Sequence, residues 1–287
     1  MKVVLFCGGL GLRIRDYSDS VPKPLVPIGS RPMLWHVMKY YSHFGHKDFI
    51  LCLGYRGDAI KQFFLDYNEC LSNDFTLSEG GRNLHLFNSD IHDWKITFVD
   101  TGVDCNIGQR LRAVEKHVQG EEMFLANYTD GLTDLHLPTY IESFKRRGCI
   151  ASFLSAPPNL SYHIVRAGEG GLVHEICEMT KSNLRINSGY FAFRKEIFRY
   201  ISSGEELVRE PFQRLIVEKQ LVAYEHPGFF LAMDTFKDRQ QMEDLFSRGV
   251  APWEVWKDPA ANTTTTGQTS SQASSEPNHS LAPQRHA

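Results

Sequence analysis

Short apolar runs and stretches of helical spacing alternate along the first half of the chain. The apolar runs predict strands, and apolar side chains recurring every three or four residues predict helices between them. The predicted strands are 3–7, 48–53, 95–100 and 122–127, and the predicted helices are 33–44, 58–67 and 109–118. Strands joined through helices favour right-handed crossovers and a parallel sheet, whose ligands bind at the carboxyl ends of the strands.

The second half of the chain departs from this alternation. Residues 150–195 are strand-like without intervening helices, which predicts a mixed sheet that extends the first half. The runs are 150–155, 163–166, 172–177 and 190–193; beyond them we expect helices at 196–202, 211–218 and 235–248 and a strand at 221–225. The polar, glycine-rich residues 70–94 predict a long insertion with a hairpin. The expected fold class is α/β, a Rossmann-like, mostly parallel mixed sheet flanked by helices.

The last 29 residues have a different composition. From Pro259 onward the chain contains one leucine, no aromatic residue and only Glu276 and Arg285 as charged residues. Such a segment buries too little apolar surface to offset the entropy of ordering it. We therefore predict a catalytic domain over 1–258 and a disordered low-complexity tail over 259–287.

Composition and charge exclude several classes of partner. The chain has 287 residues, 42% of them hydrophobic, and a formal net charge of -3, so neither nucleic acid nor an anionic membrane is expected as its main partner. No apolar run approaches the roughly 20 residues that span a bilayer. The amino terminus predicts a strand that enters a glycine-rich loop and does not resemble a signal peptide, so we expect a cytoplasmic protein.

The glycine-rich loop after the first strand is the first candidate for chemistry. Gly8-Gly9-Leu10-Gly11 lets backbone N–H groups approach a phosphate chain because no Cβ blocks the way. The cations follow later, as Arg13 and as Lys23 between two prolines. A guanidinium and an ammonium in this arrangement suit a triphosphate under attack, where negative charge builds on the α-phosphate and the leaving pyrophosphate.

Two aspartates are candidate metal ligands. Asp130 follows a predicted buried strand and could bind Mg²⁺ from the edge of the sheet, although taken in isolation the residues favour a common Asp-Gly turn. Asp234 precedes Thr235 at a predicted helix start, where it could instead be a helix cap.

Two further polar residues occupy loops next to predicted strands. Arg110 stands near a predicted helix start, where it could meet a base or a phosphate or be an ordinary solvated cation. Asn187, before an aromatic strand, could bond sugar hydroxyls or serve a turn.

These segments together resemble the sugar-1-phosphate nucleotidyltransferase family, and most closely its glucose-1-phosphate cytidylyltransferase branch. The family signature is Gly8-Gly9-x-Gly11-x-Arg13 followed by Lys23-Pro24-Leu25-Val26-Pro27-Ile28. The branch is indicated by Leu34-Trp35-His36, Gly54-Tyr55-Arg56-Gly57, Val99-Asp100-Thr101-Gly102, Glu225-His226-Pro227-Gly228-Phe229 and Met233-Asp234-Thr235. The resemblance covers nearly all of residues 1–257.

The resemblance implies a nucleotide-diphospho-sugar transferase type of fold with a small sugar-binding subregion. The implied reaction is nucleotidyl transfer from an NTP, CTP in this branch, to a sugar 1-phosphate, glucose 1-phosphate, giving an NDP-sugar and pyrophosphate with Mg²⁺. Catalysis falls to Arg13 and Lys23, metal binding to Asp130 and Asp234, and sugar-phosphate binding to Glu178, Lys181, Asn187 and Gly189. The nucleotide would be bound by Phe6, Gly8, Gly9, Leu10, Gly11, Arg13, Lys23, Arg110 and Thr129. A homo-oligomer is expected.

The chain departs from the family pattern at three places. Leu12 replaces a threonine beside the phosphates, and Thr129 replaces a glycine before Asp130. Where the family has Glu-Lys-Pro, the chain has Glu178-Met179-Thr180, so the lysine that binds the sugar phosphate is absent. Lys181 or Arg185 could replace it. The alternatives are the same chemistry with another NTP or another phosphorylated acceptor, and a catalytically silent nucleotide or sugar-phosphate sensor.

Overall fold

The computed structural model of the protein describes residues 1–9, 21–159 and 162–257. The predicted tail at 259–287 and the predicted site residues Leu10, Gly11 and Arg13 lie outside these ranges. The strands are β1 (Lys2–Phe6), β2 (Pro27–Ile28), β3 (Arg31–Pro32), β4 (Asp48–Leu53), β5 (Phe75–Ser78), β6 (Asn83–Leu86), β7 (Lys95–Asp100), β8 (Met123–Asn127), β9 (Gly131–Thr133), β10 (Ala151–Ala156), β11 (His163–Ala167), β12 (Val173–Glu178), β13 (Ile186–Arg194), β14 (Leu221–Glu225) and β15 (Phe230–Ala232). The α-helices are α1 (Met33–His43), α2 (Gly57–Leu65), α3 (Ile107–Ala113), α4 (Glu115–Val118), α5 (Leu137–Arg147), α6 (Glu210–Val217) and α7 (Phe236–Ser247).

The central sheet of the described residues has seven strands in the order β14-β10-β13-β8-β1-β4-β7. Strand β13 runs antiparallel to both of its neighbours, and the other pairings are parallel. The prediction of a mostly parallel mixed sheet is therefore confirmed.

Helices cover both faces of this sheet because the buried strand residues alternate between two apolar clusters. Val3 and Leu5 of β1 pack with residues of α1, α5 and α7. Val4 and Phe6 of the same strand pack on the opposite face with residues of α3, α4 and α6. A strand that is buried on both faces reads as a continuous apolar run, which is the pattern seen at the start of the chain.

The structure corrects three details of the predicted elements. Helix α5 was not predicted, although its buried residues Leu137, Tyr140, Ile141 and Phe144 follow helical spacing. The single helix expected at 109–118 is divided into α3 and α4 at Val114. Strands β11 and β12 pair with each other outside the central sheet, whereas we expected them to extend it.

The predicted insertion contains the expected hairpin, because β5 pairs antiparallel with β6. The segment that precedes the insertion is bonded to Arg31, which is 2% exposed and donates a hydrogen bond to the carbonyl of Asn68 at 3.0 Å. Asp90 lies 3.5 Å from the same guanidinium. No helix in the described residues is long and apolar enough to cross a membrane.

Candidate active site

A cavity of about 560 Å³ opens at the carboxyl edge of the parallel strands, where ligands of such sheets bind. The loops that follow β1, β7 and β8 supply most of its wall, as the predicted topology requires. Its described lining consists of Phe6, Cys7, Gly8, Gly9, Lys23, Pro24, Val103, Asp104, Cys105, Asn106, Ile107, Arg110, Tyr128, Thr129, Asp130 and Glu206. Six predicted nucleotide-binding residues and the predicted metal ligand Asp130 are therefore brought together in one cavity.

Lys23 connects the two candidate metal ligands. Its Nζ donates to Asp130 Oδ2 at 2.8 Å and to Asp234 Oδ1 at 3.0 Å. Burial lowers the pKa of Lys23, but the charges and hydrogen bonds of the two aspartates outweigh this effect, so its pKa lies above the ordinary value. The ammonium is therefore charged and held at the wall of the cavity.

The two aspartates meet because short strands bring their segments together. Strand β15 pairs with β9, with Ala232 opposite Gly131, and the N–H of Met233 donates to the carbonyl of Asp130 at 2.7 Å. Asp234 is not the helix cap that its position allowed, since Thr235 caps α7 and forms a capping box with Asp238. The carboxylate of Asp234 instead contacts Lys23, a residue of the cavity wall.

The pair of carboxylates fits a divalent cation with oxygen ligands. A single cationic atom, Lys23 Nζ, already lies within 3.0 Å of one oxygen from Asp130 and one from Asp234. Mg²⁺ characteristically takes one or two protein carboxylates and completes its shell with water and phosphate oxygens. Within the described residues no cluster of three or more His, Cys, Asp or Glu side chains could hold a metal ion alone. A shell shared with a phosphorylated ligand is consistent with both observations.

Arg110 lines the cavity but directs its guanidinium into the protein. The residue is 3% exposed, which excludes the solvated cation that the sequence left open. Its Nη1 donates to the carbonyls of Leu53 and Gly102 and to Oγ1 of Thr101, and its Nη2 donates to the carbonyls of Gly8 and Val103. Arg110 therefore positions the loops after β1, β4 and β7.

The same guanidinium explains why residue 8 is glycine. A Cβ on Gly8 would lie 2.0 Å from Arg110 Nη1, whereas a Cβ on Gly9 would meet nothing within 4 Å. The sequence attributed both glycines to close approach of a phosphate. For Gly8 the structure adds a second constraint, which is contact with a buried side chain.

Thr129 occupies a backbone conformation that favours glycine, the residue usual at this place in the family. Its φ is +63°, yet it is 1% exposed and its hydroxyl donates to the carbonyl of Phe6 at 2.9 Å. Its N–H donates to Oδ1 of Asn127 at 2.7 Å. These two bonds hold the strained residue and fasten the end of β8 to the end of β1.

The four predicted sugar-phosphate residues do not line this cavity. Glu178 and Lys181 form an exposed ion pair of 2.9 Å at the end of β12. Asn187 accepts a hydrogen bond from the N–H of Gly189 at 2.9 Å, and both residues lie within β13. Gly189 has a φ of +76°, and a Cβ there would lie 2.4 Å from the ring of Tyr128, which does line the cavity.

Sequence reasoning assigned no site role to several residues of the described wall, among them Tyr128 and Glu206. Tyr128 is half-buried next to Thr129, in a segment where the sequence analysis assigned roles to Thr129 and Asp130 but not to Tyr128. Glu206 comes from the loop before α6, which carries no motif. Only tertiary structure brings this loop to the start of α3, where Glu206 Oε2 accepts a bond from the N–H of Ile107 at 3.4 Å.

Comparison with known proteins agrees with this geometry. Residues 2–258 match the nucleotidyl transferase family. The chain is 36% identical over 261 residues to the glucose-1-phosphate cytidylyltransferase of Salmonella typhimurium, covering 90% of this chain and 100% of the relative. The enzyme of that name from Salmonella typhi is 36% identical over 259 residues, with the same two coverages. A solved UDP-glucose pyrophosphorylase complexed with UDP-glucose shares the fold with a TM-score of 0.64 at 15% identity, covering 86% of this chain and 98% of that one. The chain therefore belongs to the nucleotidyl transferase family and, within it, to the glucose-1-phosphate cytidylyltransferases.

Proposed function

We propose that the protein transfers the cytidylyl group of CTP to glucose 1-phosphate and releases pyrophosphate. An oxygen of the sugar phosphate attacks the α-phosphorus, and the bond from that phosphorus to the pyrophosphate oxygen breaks. The attacking phosphate is already anionic, so the protein needs to supply neither a nucleophile nor a strong base. The observation that carries the proposal is the Lys23 ammonium between Asp130 and Asp234 at the wall of the cavity.

Lys23 and Arg13 neutralise the triphosphate in this proposal. Backbone N–H groups of Gly8, Gly9, Leu10 and Gly11 bind the phosphate chain, and Phe6 and Thr129 support the nucleotide from β1 and β8. Positioning and charge neutralisation together lower a barrier by roughly 10 kcal/mol, which makes a dedicated base unnecessary. Arg110 contributes by holding Gly8 and the loop after β7 in place.

We assign Asp130 and Asp234 to Mg²⁺. The ion when bound supplies positive charge to the α-phosphate and to the leaving pyrophosphate. Asp130 and Asp234 both contact one cationic atom, and the described residues form no cluster with a third acidic ligand. Both observations support a metal site whose remaining ligands come from the nucleotide. Lys23 must leave at least one of these carboxylates when it turns to a phosphate.

Lys181 is the better replacement for the lysine that is absent at Met179. Its side chain is 73% exposed, and its ammonium is bound to Glu178 alone among the described contacts. The guanidinium of Arg185 is already engaged by the carbonyls of Ser155 and His226. We therefore place Lys181, with Glu178, Asn187 and Gly189, on the sugar-phosphate side.

The test is pyrophosphate release with Mg²⁺ across five nucleoside triphosphates and a panel of sugar 1-phosphates. We expect the strongest signal for CTP with glucose 1-phosphate. A signal elsewhere on the grid would favour another nucleotide or acceptor, and binding without turnover would favour the sensor.

The metal assignment needs a separate variant. Asp130→Asn is expected to abolish turnover while the protein remains folded, and Asp244→Asn, an exposed carboxylate on α7, serves as the matched control. Undiminished turnover in Asp130→Asn would contradict the metal assignment. A homo-oligomer and a cytoplasmic location stay predictions.

A further inference from the structure

Glu206 is a carboxylate in the cavity wall that the proposed nucleotidyl transfer does not use. It is half-buried, and its bond to the N–H of Ile107 holds it against the start of α3. Among the described residues no lysine, arginine or histidine forms an ion pair with it. Its second carboxylate oxygen, Oε1, therefore has no described partner inside the protein.

An aromatic surface adjoins this carboxylate. The ring of Tyr128 packs on the rings of Phe6 and Phe191, with centroid separations of 6.2 Å and 5.1 Å. Tyr128 and Glu206 both line the cavity, so the aromatic ring and the carboxylate face the same space. A fixed aromatic surface beside a hydrogen-bond acceptor suits a planar heterocycle, whose face packs on the rings and whose edge is read by the acceptor.

The negative charge of Glu206 restricts which part of a nucleotide this carboxylate can bind. An ionised carboxylate only accepts hydrogen bonds, and it repels the phosphates that Lys23 and the backbone of Gly8 and Gly9 attract. Glu206 therefore fits a part of the nucleotide that donates. Among the pyrimidines, cytosine donates from its N4 amino group, whereas uracil and thymine present an O4 acceptor at the same place.

We propose that Glu206 selects the base by accepting a hydrogen bond from N4 of cytosine, which favours CTP over UTP and dTTP. The inference rests on the proposed nucleotidyl transfer and assigns its base specificity to one side chain. Against uracil or thymine the same carboxylate would face O4, and two acceptors would be left opposed in a partly buried site.

Among the described residues of the cavity wall, Asp104 is the one carboxylate besides Asp130 and Glu206, and its setting differs. It is exposed in the loop after β7, so water competes for its oxygens and screens its charge. Glu206 is less accessible and is anchored by Ile107. We therefore expect discrimination between bases to depend on Glu206 and not on Asp104.

The experiment measures kcat/KM for CTP and UTP with glucose 1-phosphate in the wild type, Glu206→Gln and Asp104→Asn. A glutamine side chain can turn its amide N–H₂ toward O4 of uracil, so the CTP/UTP ratio is expected to fall about 10-fold to 100-fold in Glu206→Gln. Glu210→Gln, an exposed residue at the start of α6, should leave the ratio within about twofold. An unchanged ratio in a folded Glu206→Gln, or a fall in Asp104→Asn alone, would overturn the proposal.

Equilibrium binding of CMP and UMP separates this inference from the proposed function. Monophosphates report base recognition without turnover, so the CMP/UMP affinity ratio should fall in Glu206→Gln and in Glu206→Ala even if no sugar phosphate on the panel reacts. The ratio of the affinities for CMP and 2′-deoxy-CMP tests whether Glu206 instead binds the 2′-hydroxyl of the ribose. If Glu206→Gln changes only that second ratio, base selection by Glu206 is wrong.

Discussion

Lys23 and Asp130 form an ion pair of 2.8 Å that links the turn after the glycine-rich loop to the end of β8. Asp234 adds a second carboxylate at 3.0 Å from the same ammonium, because β15 pairs with β9. A partly buried cation between two carboxylates is compensated for its loss of hydration, as the raised pKa of Lys23 indicates. Under the proposed metal assignment, the lysine occupies the place between the two aspartates that a divalent cation would take.

Removal of this lysine should strengthen metal binding in the absence of nucleotide. In Lys23→Met the two carboxylates lose their cation, so the affinity for Mn²⁺, measured by electron paramagnetic resonance of the free ion, should rise about 10-fold. Turnover should fall about 100-fold or more, because one of the two cations proposed to neutralise the triphosphate is then lost. The control is Lys39→Met, whose partner Asp90 lies in another cluster. Mn²⁺ affinity equal to that of the wild type would contradict the competition.

Substitution of Arg110 should lower the free energy of unfolding more than is usual for a residue in a cavity wall. Arg110→Met retains much of the apolar packing but removes five hydrogen bonds, and the carbonyls of Gly102 and Val103 lose the side-chain donor that binds them. We expect the free energy of unfolding in urea to fall by about 3 kcal/mol or more, together with a higher KM for the nucleotide. Arg146→Met, an exposed arginine on α5, should stay within about 0.5 kcal/mol of the wild type. A higher KM for the nucleotide with no loss of stability would indicate that Arg110 binds the nucleotide directly.

The central sheet could be predicted because its signal is local. Each strand of the parallel part is a short apolar run, and the polar residues that follow β1, β7 and β8 mark the carboxyl edge. The bounds of β4, β7 and β14 agree with the prediction to the residue. Outside the sheet, β11 and β12 look like sheet strands in sequence but pair only with each other.

The parts of the site that depend on contacts between distant segments could not be predicted from periodicity. The approach of Asp130 to Asp234 depends on two strands of three residues each, which are too short to carry a pattern. The burial of Arg110 and the position of Glu206 in the cavity wall depend on how the loop after β7 packs against the loop before α6. The family resemblance supplied the aspartate pair, and nothing in the sequence supplied Glu206.

Gly189 and Gly204 form a matched pair for testing the wall under Tyr128. Both have positive φ, +76° and +82°, so alanine at either position costs roughly 1 kcal/mol of backbone strain. A Cβ at 189 would also lie 2.4 Å from the ring of Tyr128, whereas at 204 it would meet nothing within 4 Å. Gly189→Ala should therefore lose more stability than Gly204→Ala and should alone raise the KM for the nucleotide. Equal effects of the two substitutions on stability and KM would show that Tyr128 is free to move.

His46 should make stability depend on pH. Burial, together with nearby positive charges that include Lys145, lowers its pKa from 6.5 to about 4. Between pH 4 and 6.5 the unfolded chain therefore binds a proton that the folded protein does not, so this contribution to stability is present above pH 6.5 and is lost as the pH falls toward 4. His46→Gln should flatten the dependence of the free energy of unfolding on pH in this window. The exposed His85→Gln should leave the slope unchanged, and an unchanged slope in His46→Gln would contradict the assignment.

Lys181 and Arg185 should respond differently to removal, since the described contact of Lys181 is an exposed ion pair with Glu178, whereas Arg185 donates to two backbone carbonyls. Lys181→Ala removes an exposed ammonium, so the KM for glucose 1-phosphate should rise about 10-fold while kcat and the unfolding midpoint change little. Arg185→Ala removes the bonds to the carbonyls of Ser155 and His226, so its main effect should be on stability. Met179→Lys, which restores the family's residue, should compensate for Lys181→Ala in the double variant. A higher KM for glucose 1-phosphate in Arg185→Ala, with an unchanged KM in Lys181→Ala, would assign the sugar phosphate to Arg185. Removal of a charge that binds the substrate must raise KM, whatever its effect on stability.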